Sequence, residues 1–108
     1  MSDDLLTSPP PHVNEVTLTV SIAERKALRY TPAGLPALDL SLHHESNVVE
    51  ASQPRKVVCD FKAVAIGPVA QQLNRTDIGA VLLVKGFLGM SRNGRGVVLH
   101  IIELSPNL

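Results

Sequence analysis

Tryptophan is absent from these 108 residues, and apart from four histidines only Tyr30, Phe61 and Phe87 carry aromatic rings. Cysteine is nearly absent as well. Cys59 alone excludes an internal disulfide and a cysteine-based zinc cluster, and it fits a reducing compartment. There is no excess charge of either sign: Lys+Arg and Asp+Glu number 10 each, so the formal net charge is zero. Whole-molecule attraction to a polyanion or a membrane surface is therefore not expected, and any cationic site must be local. No apolar run approaches the ~20 residues of a membrane span, and the N-terminus lacks a basic-then-apolar leader pattern. The expectation is a cytoplasmic protein. Zinc-type ligand spacing, a phosphate-cradling glycine loop and a nucleophile elbow are all missing. Adjacent His43 and His44 point to opposite faces of a strand and do not readily share a metal. The same holds for Cys59 and Asp60, with Cys59 expected as a small buried apolar residue. No catalytic residue, metal or cofactor is read from the sequence, and the chain is not expected to be an enzyme.

What is present is a single-domain content of apolar residues, 44% against 19% charged, enough for one modest core. The organising stretch is Ala80 to Leu104, with two apolar β-branched runs, Val81 to Phe87 and Val97 to Leu104. Between them GMSRNGRG supplies Gly89, Asn93, Gly94 and Gly96, and an Asn-Gly pair between such runs signals a hairpin. Arg92 and Arg95 flank that turn, and no acidic residue occurs from Lys85 to His100. The hairpin thus carries a flexible cationic tip, where an anionic partner is expected.

Residues 1–13 hold Asp3, Asp4 and the run Pro9-Pro10-Pro11, which favours an extended, mobile tail. The folded domain is expected over 14–108. NEVTLTVSI (14–22) alternates apolar and polar residues, the pattern of a half-buried strand. The basic extension RKALRY follows, continuing that strand around a bend, and TPAGLP (31–36) is a turn. ALDLSLHH (37–44) alternates again with Leu38, Leu40 and Leu42 inward, and 45–54 reads as a long loop. RKVVCDFKAVA (55–65) is the third strand, with Val57, Cys59, Phe61 and Ala63 on one face. Gly67-Pro68 opens a short helix over PVAQQL. Phe61 and Phe87 are placed in the core by strand parity. The last strand is apolar on both faces, with Val97, Leu99 and Ile101 on one and Val98, Ile102 and Leu104 on the other. One face needs a cover: the tail, the helix or a second subunit. A homodimer is expected.

Three strands, a short helix and two more strands is the order of an all-β, five-stranded OB-fold, a partly open Greek-key barrel. Ligands of that fold use the face of strands two and three and the loops joining strands one to two and four to five. Here those places hold Arg29 and Tyr30, Arg55 with Lys56 and Val58, and Arg92 with Arg95. Each has a plainer reading. Arg92 and Arg95 can be solvated loop charges, Arg55 and Lys56 can balance Glu50, and Tyr30 can pack in its turn.

NEVTLTVSI, YTPAGLPALDLSLHHES, RKVVC, VKGF and NGRGVVLHIIEL, in that order and spacing, resemble the primosomal replication protein N family, small OB-fold relatives of bacterial single-strand DNA-binding proteins. The resemblance runs from about Asn14 to Leu104. It implies a homodimer that binds single-stranded DNA without much sequence preference. It also implies contact with the replication-restart helicase in the primosome assembly that reloads the replicative helicase. The family's DNA surface falls on Arg29, Arg55, Val58, Arg92 and Arg95. Two departures matter: a tryptophan carried by a relative is Val58 here, and a longer, lysine-rich last loop is shorter here with two arginines. Valine offers no flat face for a base, whose stacking contributes roughly 1–3 kcal/mol. The expectation is electrostatic binding, with arginine planes and Tyr30 supplying what stacking there is. The alternative is an OB-fold interaction adaptor with weak or no DNA binding.

Overall fold

Alternation in VTLTVSIAER produces β1 (Val16–Arg25), and a register shift between Ile22 and Glu24 lets this one strand serve two neighbours. Its first half pairs antiparallel with β5 (Val81–Met90), from Val16↔Gly86 to Ser21↔Val81. Its second half pairs with β3 (Pro36–Glu50), from Ser21↔His43 to Arg25↔Leu40. An irregularity of this kind bends and twists a strand, and that bend is what closes the barrel. β3 continues into β4 (Gln53–Ile66), β4 pairs parallel with β6 (Val97–Pro106), and β6 returns antiparallel to β5. The closed circuit β1-β5-β6-β4-β3-β1 is the five-stranded OB barrel expected from the element order. A two-residue strand, β2 (Arg29–Tyr30), clips onto β3 through Arg29↔Ala37 and Tyr30↔Pro36. The computed structural model describes residues 12–106; the proline run and most of the expected 1–13 tail lie outside the described residues.

Inward positions fill the barrel as the alternation requires. Val20, Ile22, Leu38, Leu42, Val84 and Leu99 are each 2% exposed or less. Full burial of such side chains contributes about 1.5–3 kcal/mol apiece. The helix α1 (Pro68–Asn74) starts with Pro68 in its first turn and buries Val69, Ala70 and Leu73 against the same cluster, closing one end. Arg25 reaches over from β1 to donate to the carbonyls of Leu73 (3.2 Å) and Thr76. These lie at and just beyond the helix C-terminus, where a cation is favoured.

The expected long loop at 45–54 is not a loop. β3 and β4 stay paired from Ala37↔Ile66 out to Glu50↔Gln53, forming a two-stranded arm that leaves the barrel. Its turn is only Ala51 and Ser52, at φ 53° and 64°, the two positive φ values of a type I′ turn. Neither residue is a usual signal for that conformation, which costs an L-residue about 1–2 kcal/mol. The double substitution Ala51→Asn with Ser52→Gly installs the residue pair that this turn favours. It should stabilise the protein by about 1 kcal/mol, raising Tm by roughly 4–8 °C. Thermal melts followed by circular dichroism test this.

The Asn-Gly signal behaves in the opposite way. Residues 91–96 form a six-residue loop closed by Ser91 N–H to the Gly96 carbonyl (3.0 Å) and Gly94 N–H to the Ser91 carbonyl (2.9 Å). The Asn93 carboxamide oxygen accepts from the Ser91 hydroxyl (2.6 Å) and the Arg95 N–H (2.8 Å). The cationic tip is therefore fastened from within rather than loose.

Two further expectations are corrected. Cys59 is exposed, because β4 is covered by β6 only over Ala63–Ala65 and Cys59 lies beyond that contact, where β4 leaves the barrel. Phe87 is 37% exposed and packs on the outer wall. The shift in pairing between Lys85 and Gly86 accompanies that outward position. Phe61, by contrast, packs half-buried against the core cluster as parity requires.

Candidate nucleic-acid interface

The outer faces of β3, β4 and β6 carry an open groove of about 1240 Å³. Asp39, Ser41, Lys62, Val64 and His100 line it from the strands. The end of β1 and the segment after it contribute Arg25, Lys26, Arg29, Thr31 and Pro32, and the 91–96 loop contributes Ser91, Arg92 and Asn93. Five cations (Arg25, Lys26, Arg29, Lys62, Arg92) face it against two anions, Glu24 and Asp39. A neutral chain thus holds a locally cationic groove, as its sequence required of any such site.

Asp39 is the electrostatic centre. Its carboxylate accepts two hydrogen bonds from Arg29, Nε to Oδ2 at 2.7 Å and the terminal nitrogen to Oδ1 at 3.1 Å, the bidentate geometry of a strong charge pair. Arg92 approaches the same Oδ2 at 3.7 Å from across the groove. The Arg29 hydrogen bond, then the nearby Arg29, Arg92 and Lys26 charges, hold Asp39 below the usual carboxylate range, and Arg29 is raised in turn. Lys62 donates to Ser41 Oγ at 2.8 Å across the β3–β4 pair, which fixes its base on the floor while its ammonium keeps further donors free.

Of the residues expected at the site, Arg29 and Arg92 are brought together. Tyr30 alternates away from Arg29 on β2 and does not line the groove; it is 63% exposed beside Pro36. Val58 and Lys56 share the outer face of β4 with Lys62, successively further out along the arm. Arg55 lies on the other face, its Nε 2.6 Å from Glu50, so the plainer reading of Arg55 describes its geometry. Arg95 sits on the exposed loop, its backbone bound to Ser91 and Asn93. Sequence reasoning missed Lys62, His100 and the pairing role of Asp39. Lys62 and Asp39 both had outward parity. Placing them on one floor needed the β3–β4 register, which the Ala-Ser turn conceals.

Between the groove and the arm, His43 bridges two carboxylates, Nδ1 to Asp60 at 2.7 Å and Nε2 to Glu45 at 2.8 Å. Hydrogen bonds to Glu45 and then Asp60 raise His43 above its ordinary 6.5. Glu45 is lowered by His43 first, and then by Lys56. A raised histidine contributes stability that is complete below its unfolded pKa and lost as pH rises through the folded one. Tm should therefore fall between pH 6.5 and the raised value. In the His43→Gln variant that slope should flatten, as read by melts across a pH series. Among the described residues no three His, Cys, Asp or Glu side chains gather as a metal site. His44, the inward neighbour, is satisfied by the Thr19 carbonyl (2.6 Å) and the Ser46 hydroxyl (2.9 Å).

Phe87 and His100 are cross-strand partners on β5 and β6, their rings stacked at 4.7 Å and 8°. Gly89 makes room for the imidazole, since a Cβ there would stand 3.1 Å from Nε2 and 3.2 Å from Cδ2. His100 lines the groove, and Phe87 stacks on it from the neighbouring strand just outside that lining.

Comparison with known proteins agrees with this geometry. Residues 14–103 match a family profile described as "Another single-strand binding protein family". A replication restart protein PriB of Bordetella pertussis is 48% identical over 90 residues, covering 82% of this chain and 84% of that protein. The structure of PriB from Ralstonia solanacearum superposes with a TM-score of 0.82 at 33% identity, covering 90% of this chain and all of that one. The single-stranded DNA binding protein of Thermus aquaticus superposes at 0.69 with 26% identity, over 89% of this chain and 50% of that one.

Proposed function

This chain belongs to the PriB family of single-strand-binding-type proteins, and on that premise we propose that it is a single-stranded DNA-binding accessory protein of replication restart, without sequence preference. The observation that carries the reading is the groove: five cations against two anions on the ligand face of an OB barrel. Lys26, Lys62 and Arg92 are its phosphate-seeking groups, Lys56 and Val58 extend the strand path along the arm, and Arg95 adds charge at the loop tip. Arg29 positions Asp39 and Arg92 rather than meeting phosphate freely. Binding involves no catalytic step and no cofactor. The protein acts in the cytoplasm as a homodimer, whose buried wall would cover exposed apolar residues such as Val81 and Ile102, and it bridges DNA to the restart helicase of the primosome.

Fluorescence anisotropy of a labelled ~30-mer single strand, titrated beside a duplex control at several salt concentrations, tests the reading. A slope of about −0.7 per phosphate contact makes three contacts equivalent to a roughly twentyfold loss of affinity between about 50 and 200 mM salt. Salt-independent or absent binding would refute it. One observation favours the adaptor alternative: Asp39 holds Arg29, and Glu50 holds Arg55, so two of the expected DNA-contacting arginines are already paired within the chain. Asp39→Asn separates the two readings. It frees Arg29 and Arg92, and under the DNA-binding reading it should tighten single-strand binding and steepen the salt slope; under the adaptor reading it leaves both near zero.

A further inference from the structure

We infer that the stacked Phe87–His100 pair is the base-stacking platform of this protein, holding an unpaired nucleobase on its open aromatic face. The inference rests on the single-strand reading above and names the part of the site that recognises bases rather than phosphates. Three observations carry it. First, the rings lie nearly parallel at 4.7 Å and 8° on the outer wall of the barrel, a preformed flat surface. Second, Phe87 is 37% exposed although it is one of only three Phe or Tyr side chains in the molecule. Third, His100 lines the cationic groove together with Lys62 and Arg92. A flat aromatic surface beside phosphate-grade cations is complementary to one class of ligand, a polyanion that carries exposed aromatic rings, and single-stranded DNA is that ligand.

The platform is also built rather than incidental. Gly89, on the same face two residues after Phe87, leaves the space over which the imidazole lies; any larger residue would press on its Nε2 and Cδ2. The backbone of β5 and β6 holds both rings from opposite sides of one cross-strand pair, so neither needs to be ordered when a base arrives. Tyr30, the ring expected from the sequence to help with stacking, does not line the groove, and Val58 offers no flat face. Phe87 does not line it either; the stack meets the groove through His100.

The test compares two labelled single strands of equal length, an oligothymidine and one whose central nucleotides are abasic, titrated by anisotropy at the same salt. The phosphates are identical, so a preference for the base-bearing strand reads stacking alone. Wild-type protein should prefer it by roughly fivefold or more. Phe87→Leu, which keeps an apolar side chain, and His100→Ala should each lose most of that preference with the salt slope unchanged. Phe87→Tyr should keep it. Thermal melts and sedimentation establish that each variant is folded and of wild-type mass. Wild-type protein that binds neither strand overturns the single-strand reading and this inference with it. Binding to both strands alike, a Phe87→Leu protein with its full preference, or a lost preference that tracks a changed mass overturns the inference alone.

Discussion

Gly86→Ala should abolish the native barrel. A Cβ at this position would lie 1.8 Å from the His100 carbonyl oxygen, 2.8 Å from its carbon and 3.2 Å from the Ile101 Cα. All three are backbone atoms in a neighbouring strand, so no rotamer change relieves the overlap. The strands must separate where β1, β5 and β6 are joined, since Gly86 pairs with Val16 on one side and Ile101 on the other. Ordinary overpacking costs about 1–3 kcal/mol because side chains yield; a backbone collision should cost more, against a total stability of about 5–15 kcal/mol. The expected result is a protein that is insoluble or melts far below wild type, with strand content lost in the far-ultraviolet circular dichroism. Gly89→Ala provides the contrast. Its nearest neighbours are imidazole atoms at 3.1 and 3.2 Å, which can shift by tenths of an ångström, so that variant should fold.

The largest effect on binding should come from reversing the groove. A protein carrying Lys26→Glu, Lys62→Glu and Arg92→Glu together should bind single strands at least about a hundredfold more weakly at low salt, because each charge-assisted contact contributes on the order of 1 kcal/mol or more. The salt slope should flatten by about 2, the share of three phosphates at roughly −0.7 each. The three side chains lie on the barrel's outer surface, so melting should change little by comparison. Arg55→Glu should have a small effect, since Arg55 faces away and is held by Glu50. Anisotropy titrations of the two variants side by side check the assignment. Equal losses would move the interface out onto the arm.

The barrel was legible because its inward positions announce themselves. Val16 to Ile22, Leu38 to Leu42 and Val81 to Val84 alternate or run apolar in the way their burial requires, and Pro68 marks the helix start. The arm was not legible, because its turn is made by Ala51 and Ser52, residues whose intrinsic preference opposes the conformation that fourteen paired positions impose on them. The Asn93-Gly94 pair misled in the other sense. Ser91 and Asn93 side chains bind the local backbone and stabilise a wider loop than a two-residue turn. For the site, cations on the first strand's extension and the last loop could be assigned to one face from topology alone. The pairing of Arg29 with Asp39 and the outward stack of Phe87 could not. Both depend on which residues stand opposite each other, and parity within a single strand does not contain that information.

The bend in β1 also fixes the order in which the molecule can assemble as it emerges from the ribosome. The β3–β4 hairpin joins residues close in sequence and can form as soon as they are made. β1 cannot complete its pairing until Val81 to Gly86 exist, about sixty to seventy residues later, and the parallel β4–β6 contact waits for Leu99. Contacts of such separation form slowly, since loop-closure entropy is lost before they are gained. Until then Val16, Leu18 and Val20 present an unsatisfied apolar edge, with Thr17 and Thr19 as the only polar residues between them. Truncation or slowing of synthesis within the last quarter of the chain should therefore leave a species with a preformed arm and an open, aggregation-prone barrel.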